Sequence, residues 1–365
     1  MADRSGLPTL GSSDDDPFLW LEELEGERVT AWVDAQTRAT VGRFGGRRRD
    51  TEASALAALL DHPDKIPAIT RRGEFLYNFW RDASNPRGLW RRTTLASYRR
   101  PDPAWDMLLD VDALARVEGE DWVFAGVATE PTRRERAILR LSRGGSDAVC
   151  LREFDIPSRS FVEGGFDAPE AKCSVNWLDP DTLLLATTLG RGMATRSGYA
   201  RTVRRWARGE PLADAPVLFE ASPESMAAWA TVDRSVEPSR AVFMDRVAFF
   251  DSIGWLGDRT GPKRRIDVPT DAEWFVYRDT LLVKPRTPWT VAGRTHAPDE
   301  LLACPLSRFL SGQRHFEVLF EPGPRRSLKG FFWARDRLGR VDIQRRAIAA
   351  PARWIIAPKL TSVLS

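Results

Sequence analysis

The chain has 365 residues, 42% hydrophobic and 29% charged, with 54 basic against 51 acidic residues. That length exceeds one ordinary core, and the composition is that of a globular protein rather than a disordered one. A formal charge of +3 lacks the clustered positive field that polyanions require, so no nucleic-acid or membrane partner is expected. Arg47-Arg48-Arg49 and Lys263-Arg264-Arg265 read as solvated loops or strand ends.

In chain order, residues 1–15 are polar and rich in Gly, Ser and Asp, and read as disordered. They hold no apolar h-region, and no later stretch approaches the ~18 apolar residues of a membrane span. Residues 16–70 read as a helical segment. Asp16 is placed to cap a helix with Pro17 in its first turn. Leu19, Leu21, Leu24 and Val29 precede Trp32, Val33 and Ala35, and a second run carries Ala55, Leu56, Leu59 and Leu60 on one face until Pro63 and Pro67.

From Arg71 the period changes to two. Strand-like runs follow at 75–80, 89–95, 107–111, 122–127, 137–141, 149–154, 183–187, 241–244 and 280–284, each bounded by Gly, Pro, Asp or Asn. An aromatic, a tight acidic turn and a strand recur at Trp177–Leu184, Trp274–Leu281 and Phe332–Leu338. This predicts an all-β fold over 71–342, a β-propeller rather than a single sandwich, with the fourteen tryptophans filling the wedges between blades. At ~45–50 residues per blade the span holds between five and six. Residues 343–365 carry no acid and read as an atypical tail.

Cys150, Cys173 and Cys304 are odd in number and widely spaced. Neither a disulfide framework nor a zinc site follows from them, and a reducing cytoplasm is the expected compartment. Gly190-Arg191-Gly192 lacks the Lys-Ser/Thr of a phosphate loop. No cofactor and no metal is expected.

Several blocks resemble the prolyl oligopeptidase family of serine peptidases. Asp16-Pro17-Phe18-Leu19-Trp20-Leu21-Glu22-Glu23 with Trp32-Val33-Asp34-Ala35-Gln36 is similar to the segment that opens those chains. The runs at 75–80, 85–93 and 108–114 resemble the first blade. Phe161–Phe166 with Glu170-Ala171-Lys172, and Ser197–Arg201 with Arg205-Trp206, resemble later blocks, although the family usually shows Pro where Ala200 stands. The resemblance implies a seven-bladed propeller, here incomplete, preceded by a short helical segment. It further implies a gate admitting short peptides to a hydrolase domain, where a serine, a histidine and an aspartate cleave after proline.

That machinery is expected to be absent from this chain, and no catalytic residue is assigned. There is no Gly-x-Ser-x-Gly elbow; the nearest cluster, Arg143-Gly144-Gly145-Ser146-Asp147, reads as a turn between two strands. His62 sits at a helix end, His296 in a Gly/Pro-rich loop and His315 before a strand. Asp110/Asp112 and Asp179/Asp181 could pair for glycoside hydrolysis, but their spacing suits turns better. The expected partners are short peptides. The alternative is a free-standing interaction module, or one half of a split peptidase bound to a separately encoded hydrolase domain. Helices deprived of that domain would expose Leu19, Trp20, Leu21 and Trp32 and leave the chain marginally stable.

Overall fold

The computed structural model describes residues 18–23, 26–62, 64–334, 337–344 and 361–362. The segment 1–15, the Asp16-Pro17 helix start and the tail apart from 343–344 and 361–362 lie outside them. The chain divides into two compact units, residues 1–68 with 80–86 and residues 69–79 with 87–365.

The first unit is helical. A 3-10 turn at Leu19–Glu22 precedes α1 (Glu27–Phe44) and α2 (Arg47–Leu60). Gly46, at φ 119°, breaks the two apart in a conformation that a side chain would strain. Ala and Leu fill α2 because they lose least on entering a helix. Neither helix buries a residue, and Phe44, Leu59 and Leu60 are 67–70% exposed. Trp20 meets the edge of Trp32 at 6.1 Å and carries Arg28 over its face at 4.0 Å. In the 80–86 segment, Asp82 accepts from Trp80 Nε1 at 2.7 Å and from the amides of Ser84 and Asn85, which fixes a tight turn.

The second unit is built of successive antiparallel sheets. Sheet 1 contains β1 (Thr70–Arg72), β2 (Phe75–Asp82), β3 (Asn85–Thr94) and β4 (Asp106–Asp110), with α3 (Leu95–Tyr98) between its last two strands. After α4 (Val111–Glu118), sheet 2 contains β5 (Trp122–Thr129), β6 (Arg136–Arg143), β7 (Val149–Asp155) and β8 (Ser160–Phe161), with β9 (Asp167–Ala171) also on β7. Sheet 3 runs β10 (Cys173–Asp179), β11 (Thr182–Thr187), β12 (Thr202–Ala207), β13 (Val217–Glu220). Sheet 4 runs β14 (Ala227–Asp233), β15 (Arg240–Arg246), β16 (Ser252–Asp258), β17 (Gly261–Ile266).

Sheet 5 joins β18 (Glu273–Tyr277), β19 (Thr280–Lys284), β22 (Leu301–Pro305) and β23 (Glu317–Phe320). A ribbon of β20 (Trp289–Val291) and β21 (Arg294–His296) interrupts it, and α5 (Leu306–Leu310) follows β22. Sheet 6 has β24 (Arg326–Ala334), β25 (Arg337–Gln344) and β26 (Thr361–Ser362).

The second strand of a sheet explains the packing. Along β11, Leu183 and Leu185 enter one buried cluster with sheet 2, while Leu184 and Ala186 enter another with sheet 4. In β6, Ala137, Leu139 and Leu141 face sheet 1 and Ile138 faces sheet 3. Such strands are covered on both faces, so they read as continuous apolar runs rather than alternating ones. Each fully buried Leu contributes about 1.5–3 kcal/mol. Five clusters of this kind join consecutive sheets, and each includes tryptophan: Trp90 and Trp122, Trp177 and Trp206, Trp255, Trp274 and Trp289, then Trp333. Meandering sheets stacked face to face through aromatic wedges are the blades of a β-propeller. The all-β expectation holds, with short helices ahead of the sheets.

The period-two reading overran in two places. Leu95 and Val111 open α3 and α4 instead of ending strands. Thr94 Oγ1 accepts the Ser97 amide at 3.2 Å and Asp110 Oδ1 the Ala113 amide at 2.9 Å, so both helices start on a side-chain cap.

Candidate functional site

The residues weighed from sequence do not assemble a hydrolytic centre. Gly144, Gly145 and Ser146 form the turn between β6 and β7, both glycines at positive φ. Ser146 Oγ hydrogen-bonds the Ala148 carbonyl at 3.2 Å and lies 3.5 Å from Ser142 Oγ. His62 follows α2 and its Nδ1 accepts the Asp64 amide; His315 is exposed ahead of β23. His296 departs from the loop expected for it. It ends β21, 1% exposed, with Nδ1 2.8 Å from Glu300 Oε2 and aromatic neighbours Trp289 and Phe316.

The paired aspartates are structural. Asp110 caps α4, and Asp112, inside α4, accepts from the amides of Arg87 and Gly88. Asp179 accepts the Asp181 amide in the β10–β11 turn, and Asp181 holds Arg208. Arg47-Arg48-Arg49 occupy the first turn of α2, and Lys263-Arg264-Arg265 lie on β17. Burial raises the pKa of all three cysteine thiols, Cys173 to about 11 despite the opposing charge of Arg140. Among the described residues no three His, Cys, Asp or Glu gather to hold a metal, and no helix is long and apolar enough to cross a membrane.

Three cavities of this unit lie at the ends of its first strands. Where β1, β5, β10 and β14 turn back into their second strands, a cavity of about 530 Å³ opens. Val127, Val175, Pro131 and Trp177 give it apolar walls. Arg71, Arg72, Arg134, Arg140 and Arg234 also line it, and no Asp or Glu does.

Arg71 and Arg72 end β1, Arg134 and Arg234 belong to the first-turn loops of sheets 2 and 4, and Arg140 reaches in from β6. Opposite Arg140, β5 bulges at Ala125, and Gly126 takes φ 133°. A Cβ there would rest 3.9 Å from Arg140 Nη1, an ordinary contact. The glycine is thus required by the backbone rather than by space. Arg234 donates to the Trp177 carbonyl, which ties sheet 4 to sheet 3, and burial lowers its pKa. The nearby Glu130 carboxylate is already bound by the amides of Thr132, Arg133 and Arg134.

At the starting ends of the same strands lie two further cavities. One, of about 350 Å³, is lined by Arg140, Cys173, Ser174, Tyr199 and Trp229. At its edge Lys172 sits 3.2 Å from Asp147, Tyr199 donates to the same carboxylate, and the Lys172 ammonium lowers the Asp147 pKa. The other, of about 420 Å³, is aromatic, with Trp229, Phe249, Phe250, Trp274 and Phe275. Gly254 makes room for the Trp274 ring, since a Cβ there would come within 2.0 Å of it.

The sequence singled out none of the five arginines of the largest of these three cavities. The arginines are scattered from 71 to 234, and only the repeated turns bring them together.

Residues 10–261 match the family described as prolyl oligopeptidase, N-terminal beta-propeller domain. An uncharacterized peptidase, y4nA, of Sinorhizobium fredii is 33% identical over 348 residues, covering 91% of this chain and 47% of its own length. A second, RP174 of Rickettsia prowazekii, is 25% identical over 323 residues, with 83% and 44% covered. The chain therefore spans less than half the length of these curated relatives. Among solved structures, a post-proline cleaving enzyme from Rickettsia typhi superposes with a TM-score of 0.80 at 23% identity, over 93% of this chain and 53% of that one. Oligopeptidase B from Leishmania major gives 0.61 at 14%, over 90% and 44%.

Proposed function

This chain belongs to the prolyl oligopeptidase family, and we propose that it serves as the propeller of such a peptidase, admitting short peptides to a hydrolase domain while having no hydrolytic activity of its own. The observation that carries the reading is the pair of cavities at the two ends of β10 and β14. These cavities, of about 350–530 Å³, suit a few residues of extended peptide and are too small for a folded domain. The mechanism assigned to these residues is selection by size and surface: the sheets hold a rigid rim, and side chains at the first-strand ends meet the peptide.

Chemistry needs a nucleophile hydrogen-bonded to a base, with donors aimed at the developing oxyanion. Ser146 instead hydrogen-bonds the carbonyl of its own turn. His296 is buried against Glu300 in a different sheet. Nothing in this arrangement activates a hydroxyl.

The test is to incubate the purified chain with a proline-containing fluorogenic peptide and with a serine-reactive phosphonate. Neither turnover nor labelling is expected. Either signal, persisting in Ser146→Ala, would reveal a nucleophile elsewhere and overturn the reading. Loss of the signal in that variant would place the chemistry in the hairpin and overturn it equally.

A further inference from the structure

We propose that the cavity at the first turns of sheets 1–4 is an anion site that takes the carboxylates of an acidic peptide. This deepens the preceding reading, and rests on it, by naming the class of peptide the propeller prefers.

The argument starts from charge. Several arginines elsewhere in the sheets find carboxylates: Arg92 with Asp106, Arg143 with Glu120, Arg152 with Glu118, Arg208 with Glu153, Arg240 with Asp233. The cavity arginines do not. Among the described residues, the side chains of Arg71, Arg72 and Arg234 donate only to backbone carbonyls, of Gly73, Arg71, and Val232 with Trp177. The Arg140 side chain makes no hydrogen bond or ion pair among the described residues, and its Nε is buried without an acceptor. It lies on the Ile138 face of β6, among the apolar residues between sheets 2 and 3. The residue is half-buried and lines the cavity, so an acidic ligand that reaches it meets a partly desolvated charge.

Among the described residues that line this cavity, none is an acid. Glu130, the acid that acts on Arg234, spends both its oxygens on three backbone amides. A guanidinium offers a planar fork that matches a carboxylate, and the bond is stronger where water is excluded.

The shape selects a peptide over a compact anion. The cationic groups are spread over β1, β6 and the first turns of sheets 2 and 4 rather than focused on one point. Val127, Val175 and Trp177 between them suit methylenes and backbone. The volume of about 530 Å³ is that of a site for a molecule of several residues.

Calorimetric titration of the whole chain tests this with three ligands: an acetylated hexapeptide alternating alanine and glutamate, its glutamine counterpart, and tripolyphosphate. The glutamate peptide is expected to bind at least roughly tenfold tighter than the glutamine one, and to weaken as salt shortens the screening length. Arg140→Gln and Arg71→Gln should each weaken it severalfold. Arg71 is exposed, so its variant will fold even if the Arg140 variant does not. Equal affinity for the two peptides, unchanged binding in Arg71→Gln, or binding of tripolyphosphate alone would each overturn the inference. None of those results touches the turnover and labelling assays, on which the preceding reading stands or falls.

Discussion

Arg140 and Arg208 both reach into the space between sheets 2 and 3, and their partners differ. Arg208 grips Glu153 with both terminal nitrogens, at 2.7 and 2.9 Å, and the same carboxylate accepts the Phe166 amide. The Glu153 side chain is wholly buried, whereas Arg208 keeps 31% of its own in solvent. Removing one partner of a buried pair leaves an uncompensated charge, here partly relieved by water. Glu153→Gln is therefore expected to cost about 2–4 kcal/mol, read as a shift in urea midpoint at pH 7. A loss below about 0.5 kcal/mol would place the pair among those of the surface, which contribute little. The arginine that holds a carboxylate stabilises the fold; the arginine that holds none is free to act on a ligand. Sequence could not separate them, because the distinction rests on Glu153, a neighbour brought close only by sheet packing.

Among elements, the short helix α4 was legible in principle. Asp110 and Gly119 bracket it as cap and left-handed terminator, at φ 68° for the glycine, and Val111, Leu114 and Ala115 have helical spacing. The surrounding period of two masked that signal, since Val111 also extends the alternation of β4. Asp110→Ala should lower stability by about 1 kcal/mol without altering the sheets, which denaturant melts and far-UV spectra would jointly show.

The β5–β6 loop has a different anchor. Burial opposes ionisation of Glu130, but the amides of Thr132, Arg133 and Arg134 outweigh it and hold the carboxyl below its usual pKa. A depressed folded pKa means stabilisation that is complete above the unfolded value of about 4.3 and is lost as pH falls through the folded one. The stability gap between the native chain and Glu130→Gln should hold constant from pH 7 to 5 and narrow below pH 4.5. A gap that stays level in acid would show that the loop does not depend on the charge.

For the whole molecule, the family blocks and the turn-marked strands made the propeller readable. The repeated acidic turns at Asp179 and Asp279 do fall between the first and second strands of their sheets. The arginine cavity was unreadable because it takes residues from strands and loops of different sheets. The same succession of sheets predicts uneven stability. Sheets held mainly through their neighbours behave as a chain of interfaces, each opening on its own account. Among the described residues, the cluster joining sheets 5 and 6 has five buried members, against nine to twelve in the other four. Leu338 is the buried side chain that sheet 6 contributes to it, and no residue of β24 is buried. Amides of β24 and β25 should therefore exchange at least roughly tenfold faster than those of β6, β11 and β15, the central strands of sheets 2 to 4. Leu338→Ala should speed exchange in sheets 5 and 6 and leave β6 and β11 unchanged. Uniform protection, or a Leu338→Ala effect spread evenly over all the sheets, would mean instead that the propeller opens as one cooperative body.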